Sequence, residues 1–298
     1  MSHPLSKKLR GTGVALVTPF KASHDIDFDG LKKLVNFQVE NGTDYLVILG
    51  TTGESPTITK KEKQQIIDCI KEENNGRLPL VLGIGGNYTL EVAENIKEQN
   101  FEGISAILSV SPYYNKPNQD GIVHHYRHLA DKAPVPVILY NVPGRTGSNI
   151  SVEATLKLAE HPNILGTKEA SGNFIQCMDI IKHRPDNFAV ISGDDALTMP
   201  FIAIGMDGVI SVIANAYPRE FSSMVKLSLE GNIVEARKLH YSLLDAMNLI
   251  FADGSPGGIK VLLEALGICG VDVRMPLAAV SSKVREQLLA SMKMSRTK

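Results

Sequence analysis

Lys168 stands at the end of the apolar run Ile164-Leu165-Gly166-Thr167. An amine in apolar surroundings is costly to keep as an ammonium, so burial favours its neutral form. Only the neutral amine attacks a ketone, and the resulting imine is an electron sink. A buried lysine paired with an acid fits the same position, and the residue by itself does not choose. Glu169 is not the obvious partner, because successive strand side chains face opposite ways. Tyr140 ends the preceding apolar run, where a phenol can relay protons during carbinolamine formation and dehydration. Its ring could equally pack while its hydroxyl bonds backbone. Thr51 and Thr52 lie between Gly50 and Gly53, where hydroxyls and backbone N–H groups suit a small carboxylate or merely shape a turn. Arg145 follows Pro143-Gly144; its planar fork suits a second carboxylate, and a solvated surface arginine is the plainer reading.

These residues need a scaffold that brings strand ends together. Short β-branched, apolar runs recur at Gly13–Val17, Tyr45–Leu49, Leu80–Ile84, Ile104–Val110, Val135–Tyr140, Ile164–Lys168, Ala189–Ser192 and Gly208–Val212. Most are apolar on both faces, as in parallel strands covered on each side. Helical patterns alternate with them. Leu31, Leu34, Val35 and Val39 fall at helical spacing before Gly42; Ile66, Ile67 and Ile70 share a face, as do Val92, Ala93 and Ile96; Ser151 can cap a helix reaching Glu160. Eight strands alternating with helices favour an α/β fold of the (β/α)8 barrel type over a doubly wound sheet. Past Pro218 only helical patterns follow, at Pro218–Glu230, Ile233–Phe251, Gly258–Leu266 and Ser281–Met292. The expected division is a catalytic barrel over residues 1–225 and a C-terminal helical appendix over 226–298. Barrel active sites use the C-terminal strand ends. There the chain carries the Thr51-Thr52 turn, Ser111-Pro112-Tyr113-Tyr114-Asn115, Arg145, Lys168 and Gly193-Asp194-Asp195.

The bulk composition narrows the function. Of 298 residues, 43% are hydrophobic and 21% charged, which suits a globular core; the net charge of −1 offers no basic field for nucleic acid and no polybasic membrane anchor. Residues Met1 to Gly11 contain no apolar run, and no 18-residue apolar stretch occurs anywhere, so neither a secretory signal nor a membrane span is expected and a reducing cytoplasm is. Cys69, Cys177 and Cys269 are far apart and read as small core residues. Asp25-Ile26-Asp27-Phe28-Asp29-Gly30 resembles half a calcium loop, but its twelfth position is Asn36, so a helix start is expected instead. His124 and His128 stand one helical turn apart, with His125 between; a solvated helix face is expected, not a metal site. Gly83-Ile84-Gly85 lacks the third glycine of a dinucleotide fingerprint, since Tyr88 takes its place.

Taken in order, Gly50-Thr51-Thr52-Gly53-Glu54-Ser55, Ser111-Pro112-Tyr113-Tyr114-Asn115-Lys116-Pro117, Tyr140-Asn141-Val142-Pro143-Gly144-Arg145-Thr146, Lys168-Glu169-Ala170-Ser171-Gly172, Ser192-Gly193-Asp194-Asp195 and Gly208-Val209-Ile210-Ser211-Val212 form a specific set. The chain resembles the dihydrodipicolinate synthases, within the pyruvate-aldolase group that includes N-acetylneuraminate lyase. The resemblance runs from about Gly11 to Leu289. It implies a homotetrameric barrel that condenses pyruvate with L-aspartate 4-semialdehyde for lysine and diaminopimelate biosynthesis, without metal or organic cofactor. Lys168 would match the Schiff-base lysine and Tyr140 the proton shuttle, with Thr51 and Tyr114 completing its hydrogen-bond chain. Tyr113 would be the tyrosine crossing a dimer interface. Thr52, Ile210 and Gly193 would border the pyruvate, and Arg145 would hold the semialdehyde carboxylate. An L-lysine feedback site would involve Ser55, Asn87, Glu91 and Tyr113, with Lys60 and Lys63 as departures from the usual neutral or histidine types. The alternatives are a lyase or dehydratase acting on a keto-sugar acid, and a non-catalytic metabolite-binding barrel.

Overall fold

In the computed structural model, which describes residues 9–295, eight parallel strands close into a barrel in sequence order. They are β1 (Gly11–Ala15), β2 (Tyr45–Ile48), β3 (Leu80–Gly83), β4 (Ala106–Val110), β5 (Val137–Asn141), β6 (Ile164–Glu169), β7 (Ala189–Ser192) and β8 (Gly208–Ser211). All eight expected strands are present, with shifted ends. The largest shift is in β1, which pairs from Gly11 opposite Gly208. Val17 leaves the sheet, and its N–H goes instead to the Asn215 side chain at 3.2 Å.

The strands alternate with α1 (Phe28–Glu40), α2 (Lys60–Asn74), α3 (Thr89–Glu98), α4 (Gln119–Lys132), α5 (Val152–Ala159), α6 (Phe174–His183), α7 (Thr198–Ala203) and α8 (Pro218–Leu229). Local chemistry sets their starts. Asp27 caps α1 by accepting the Gly30 N–H, so the acidic run before it begins a helix. Thr59 and Glu62 form a reciprocal capping box on α2, and Ser151 caps α5.

The barrel interior is filled by Tyr45, Val47, Val81, Ala106, Leu108, Ile138, Leu165, Ile191 and Ile210, closed at one end by Leu9 and at the other by Tyr140 and Val142. Gly13 makes room for this filling: a Cβ there would meet the Tyr45 ring at 2.2 Å. Two further apolar clusters pack the helices onto the outside of the sheet. His125 belongs to the inward face of α4 with Ile122, Tyr126 and Leu129, contrary to the solvated face expected for the histidines. It is only 3% exposed, and its Nδ1 lies 2.9 Å from the Thr89 hydroxyl. The three cysteines are buried and free. Among the described residues no group of three His, Cys, Asp or Glu is disposed to hold a metal, and no helix is long and apolar enough to cross a membrane.

Helix α8 runs without a break through position 225 and packs on β1 and β8, so it is the eighth helix of the barrel. Three further helices follow: α9 (Ile233–Leu249) on α8, then α10 (Gly257–Ala265) and α11 (Ser282–Ser295) packed together. Arg274, between α10 and α11, pairs with Glu62 of α2 and thereby ties this region to the barrel rim.

Candidate active site

Parallel pairing of β5 with β6 sets Tyr140 directly beside Lys168. Both face the barrel interior and are nearly fully buried, and the Lys168 Nζ lies 4.4 Å from the centre of the Tyr140 ring. Among the described residues no carboxylate lies within ion-pair distance of Lys168. Its neighbour Glu169 points the other way, as strand alternation requires. There it accepts hydrogen bonds from Asn141 Nδ2 at 3.0 Å, Gln176 Nε2 at 3.1 Å and the Ser171 N–H at 2.9 Å. The ion-pair explanation of a buried Lys168 therefore has no partner in this fold.

Gly193 follows β7 and leaves space for the lysine stem, since a Cβ there would lie 3.0 Å from Lys168 Cε and 2.6 Å from Ala170 Cβ. Ile210 is buried on β8 opposite Gly13. The strand end after it is fixed by Asp195, a residue that the motif contained but whose role could not be read from it. The buried Asp195 carboxylate accepts the N–H groups of Val212 at 3.1 Å and Ile213 at 2.8 Å. Burial pushes its carboxyl up to about 6, against the lowering effect of its hydrogen bonds with Ser211, Ile213 and Val212.

Above this layer opens a cavity of about 360 Å³, bordered by Thr51, Ser55, Lys63, Tyr113, Tyr140 and Arg145 among others. Thr51 and Thr52 sit in a single 3-10 turn after β2, with Thr52 buried and Thr51 facing solvent. Arg145 rides on the helical turn Pro143–Thr146 after β5. Lys168, Thr52, Gly193 and Ile210 do not border the cavity; Lys168 lies against the Tyr140 ring, which does. A recess of about 780 Å³ bordered by Arg10, Asp44 and Arg219 lies at the opposite end of the barrel, remote from these groups.

The two tyrosines exchange the places expected of them. Tyr113 borders its own chain's cavity, whereas Tyr114 is 87% exposed and does not. The backbone explains the reversal. The Tyr113 N–H is held by Asn87 Oδ1 and the Asn115 N–H returns to the Tyr113 carbonyl, both at 2.9 Å, which leaves Tyr114 at the centre of a tight turn with φ 68°. That conformation is uncommon for a bulky residue, and it throws the ring outward.

Beside the cavity, and sharing Leu49, Ser55, Lys63 and the Gly83–Gly85 backbone with it, lies a groove of about 820 Å³ that also includes Lys60 and Glu91. Lys60 is paired with Glu98 across the groove. Lys63 is half-buried, and desolvation lowers its pKa. Asn87 and Tyr113 both stand outside the groove; the bond between them holds Tyr113 at the cavity.

A closed (β/α)8 barrel with an unpaired buried lysine at the end of β6 defines the architecture of a Schiff-base aldolase. The model of the "Dihydrodipicolinate synthetase family" matches residues 8–295, and the chain belongs to that family. It is 52% identical over 285 residues to a 4-hydroxy-tetrahydrodipicolinate synthase of Parabacteroides distasonis, covering 94% of this chain and 96% of the relative. Two similar solved structures are a chloride-inhibited dihydrodipicolinate synthase of Acinetobacter baumannii complexed with pyruvate and an enzyme of Cyanidioschyzon merolae with lysine bound. The first has a TM-score of 0.94 and 36% identity, covering 97% of this chain and 99% of that one. The second has a TM-score of 0.93 and 37% identity, covering 98% and 99%.

Proposed function

We propose that this chain condenses pyruvate with L-aspartate 4-semialdehyde to give 4-hydroxy-tetrahydrodipicolinate, on the path to diaminopimelate and lysine, through an imine on Lys168. The observation that carries this reading is a buried lysine with no acid partner among the described residues, packed on the ring of Tyr140. The Lys168 amine adds to the pyruvate ketone, and loss of water gives the imine. Loss of a methyl proton gives an enamine, whose carbon forms the new bond to the aldehyde. The amino group of the semialdehyde then attacks the imine carbon, closes the ring and releases Lys168. The imine nitrogen takes up the electron pair at each stage, so the chemistry asks for no metal or organic cofactor.

Tyr140 shuttles the protons, with Thr51 in the same cavity as its relay. Thr52 and the backbone about Ile210 and Gly193 hold the pyruvate end. Arg145 stands at the mouth, where a guanidinium pairs with the carboxylate of the acceptor. A neutral sugar aldehyde as acceptor would leave that charge without a partner, so the carboxylated acceptor is the better fit. Borohydride reduction with pyruvate, followed by mass spectrometry, tests the imine: one adduct on Lys168 is expected, and a full-yield adduct in Lys168→Ala sinks the assignment. Turnover with the semialdehyde tests the acceptor.

The exposed, strained Tyr114 fits a residue inserted into a second subunit's site, and we assign it, not Tyr113, as the crossing tyrosine of a tetramer built from dimers. A cytoplasmic location accords with the reaction. L-Lysine as feedback inhibitor fits the groove, where Glu91 and Ser55 can meet its ammonium groups and Lys63 its carboxylate; Ser55 and Lys63 also border the catalytic cavity and so connect the two, while Asn87 holds Tyr113 on the cavity side. Initial rates against added L-lysine in wild type and Glu91→Ala test this, with no inhibition of the wild type at millimolar lysine as the refuting result.

A further inference from the structure

The turn that carries Thr51 and Thr52 is flanked by two residues with left-handed backbone, Leu49 and Glu54, each at φ 56° and neither a glycine. Such conformations are unfavourable for side chains with a Cβ and persist only where the surroundings hold them. Two groups hold the Glu54 end. The first is Thr18, whose hydroxyl donates to the Gly53 carbonyl at 2.7 Å. The second is an ion pair with no exposed surface. Lys260 of α10 donates to Glu54 Oε1 at 2.7 Å, with both side chains at 0% exposure. The second carboxylate oxygen accepts the Arg274 N–H at 3.0 Å, and the Lys260 ammonium also donates to the Asp272 carbonyl at 2.6 Å and lies over the Phe20 ring. Both oxygens of Glu54 are therefore held by the region after the barrel, more than 200 residues further along the chain, and Glu54 is the residue next to the turn.

A buried pair of this kind is weak evidence for stability, because desolvation offsets most of the attraction. What it supplies is geometry: a charge that cannot leave, bonded on every side, fixes the position of its own backbone. We propose that Glu54 and Lys260 are positioning residues for the reaction: through them the C-terminal helices set the place of the Thr51-Thr52 turn, and with it the proton relay at Tyr140. This rests on the relay role given to Thr51 above. It also gives the C-terminal helical region a catalytic purpose that no substrate contact of its own would supply.

The test is a set of double-variant cycles in the intact enzyme. Lys260→Met removes the cation while keeping much of the volume. Glu54→Gln keeps the shape and turns one terminal atom into a donor facing another donor. We expect each to lower kcat by about 10–100-fold, the scale of a displacement near 1 Å, while the borohydride-trapped pyruvate adduct on Lys168 still reaches full yield. In a Thr51→Val background the same substitutions should cost only about twofold, because the hydroxyl they position is gone. Losses that multiply undiminished in that background, or a folded Lys260→Met with wild-type kcat, would overturn the proposal. Wild-type turnover in Thr51→Val alone would remove the relay reading and the proposal together, so the two failures are distinguishable. If Lys260→Met does not fold, the Glu54→Gln cycle decides, with thermal unfolding recorded for every variant.

Discussion

Replacing Gly193 by alanine would add one methyl group at the tightest point around Lys168. The new Cβ would stand 2.6 Å from Ala170 Cβ, 3.0 Å from Lys168 Cε and 3.2 Å from the Glu169 carbonyl, where ordinary contacts begin at 3.4 Å. The carbonyl belongs to β6 and is already bonded to the Gly193 N–H at 2.8 Å, so it cannot retreat without opening the sheet. Ala170 begins the loop after β6 and the lysine stem is a flexible chain, so these two yield. Overpacking of this degree costs about 1–3 kcal/mol. Part of that cost falls on stability and part on the lysine, whose terminal amine swings further than its Cε. A misplacement of about 1 Å at a reacting atom lowers the rate by about 10²-fold. The expected result is a melting temperature lower by several degrees and imine formation slowed by about 10–100-fold, read as the rate of borohydride-trapped adduct at fixed pyruvate. Because the amine itself is intact, the adduct should still reach full yield at long times. Wild-type trapping kinetics in a Gly193→Ala protein of unchanged stability would refute the packing argument.

The site makes further predictions. Tyr140→Phe keeps the ring against Lys168 and removes only the hydroxyl, so turnover should fall about 10²–10⁴-fold with little change in melting temperature. Tyr114→Phe should reduce turnover, because the exposed tyrosine enters a neighbouring subunit's site, and Tyr113→Phe should do less; the reverse order would overturn the crossing assignment given to Tyr114. Arg145→Ala should cost about 2–5 kcal/mol in kcat/KM for the semialdehyde while leaving pyruvate trapping untouched; equal damage to trapping would make Arg145 a pyruvate ligand or a structural residue. Burial, helped by the nearby His128, holds the His125 imidazole down at about 4. Its folded pKa is depressed, so its neutral form contributes fully above its ordinary value, and that contribution is lost as pH falls toward 4. The shift corresponds to about 3 kcal/mol, and urea unfolding of wild type and His125→Gln between pH 7 and pH 4 should converge by roughly that amount. Parallel pH profiles would show that His125 does not titrate on unfolding.

The sequence by itself determined the architecture, because strand and helix periods are local and eight alternations leave few topologies. It also marked Lys168, Tyr140 and Gly193 by their place at or just beyond strand ends, where one barrel rim collects them. Position along a strand was enough for this, since alternation fixes which face a residue takes; hence Glu169 turned outward as read. Other features depended on contacts remote in sequence or on backbone torsion. His125 looked like one of three solvated histidines, yet it lies on the inward face of α4 with Ile122, Tyr126 and Leu129, where Thr89 of a different helix meets it. Tyr113 and Tyr114 are adjacent, and only the tight turn fixed by Asn87 decides which ring borders the cavity and which leaves it. Glu54 and Lys260 read as ordinary charges in their own segments. Only closure of the barrel, with the C-terminal helices folded back over its rim, brings their charges together in a place without water, and no local pattern records which distant residue a buried charge will meet.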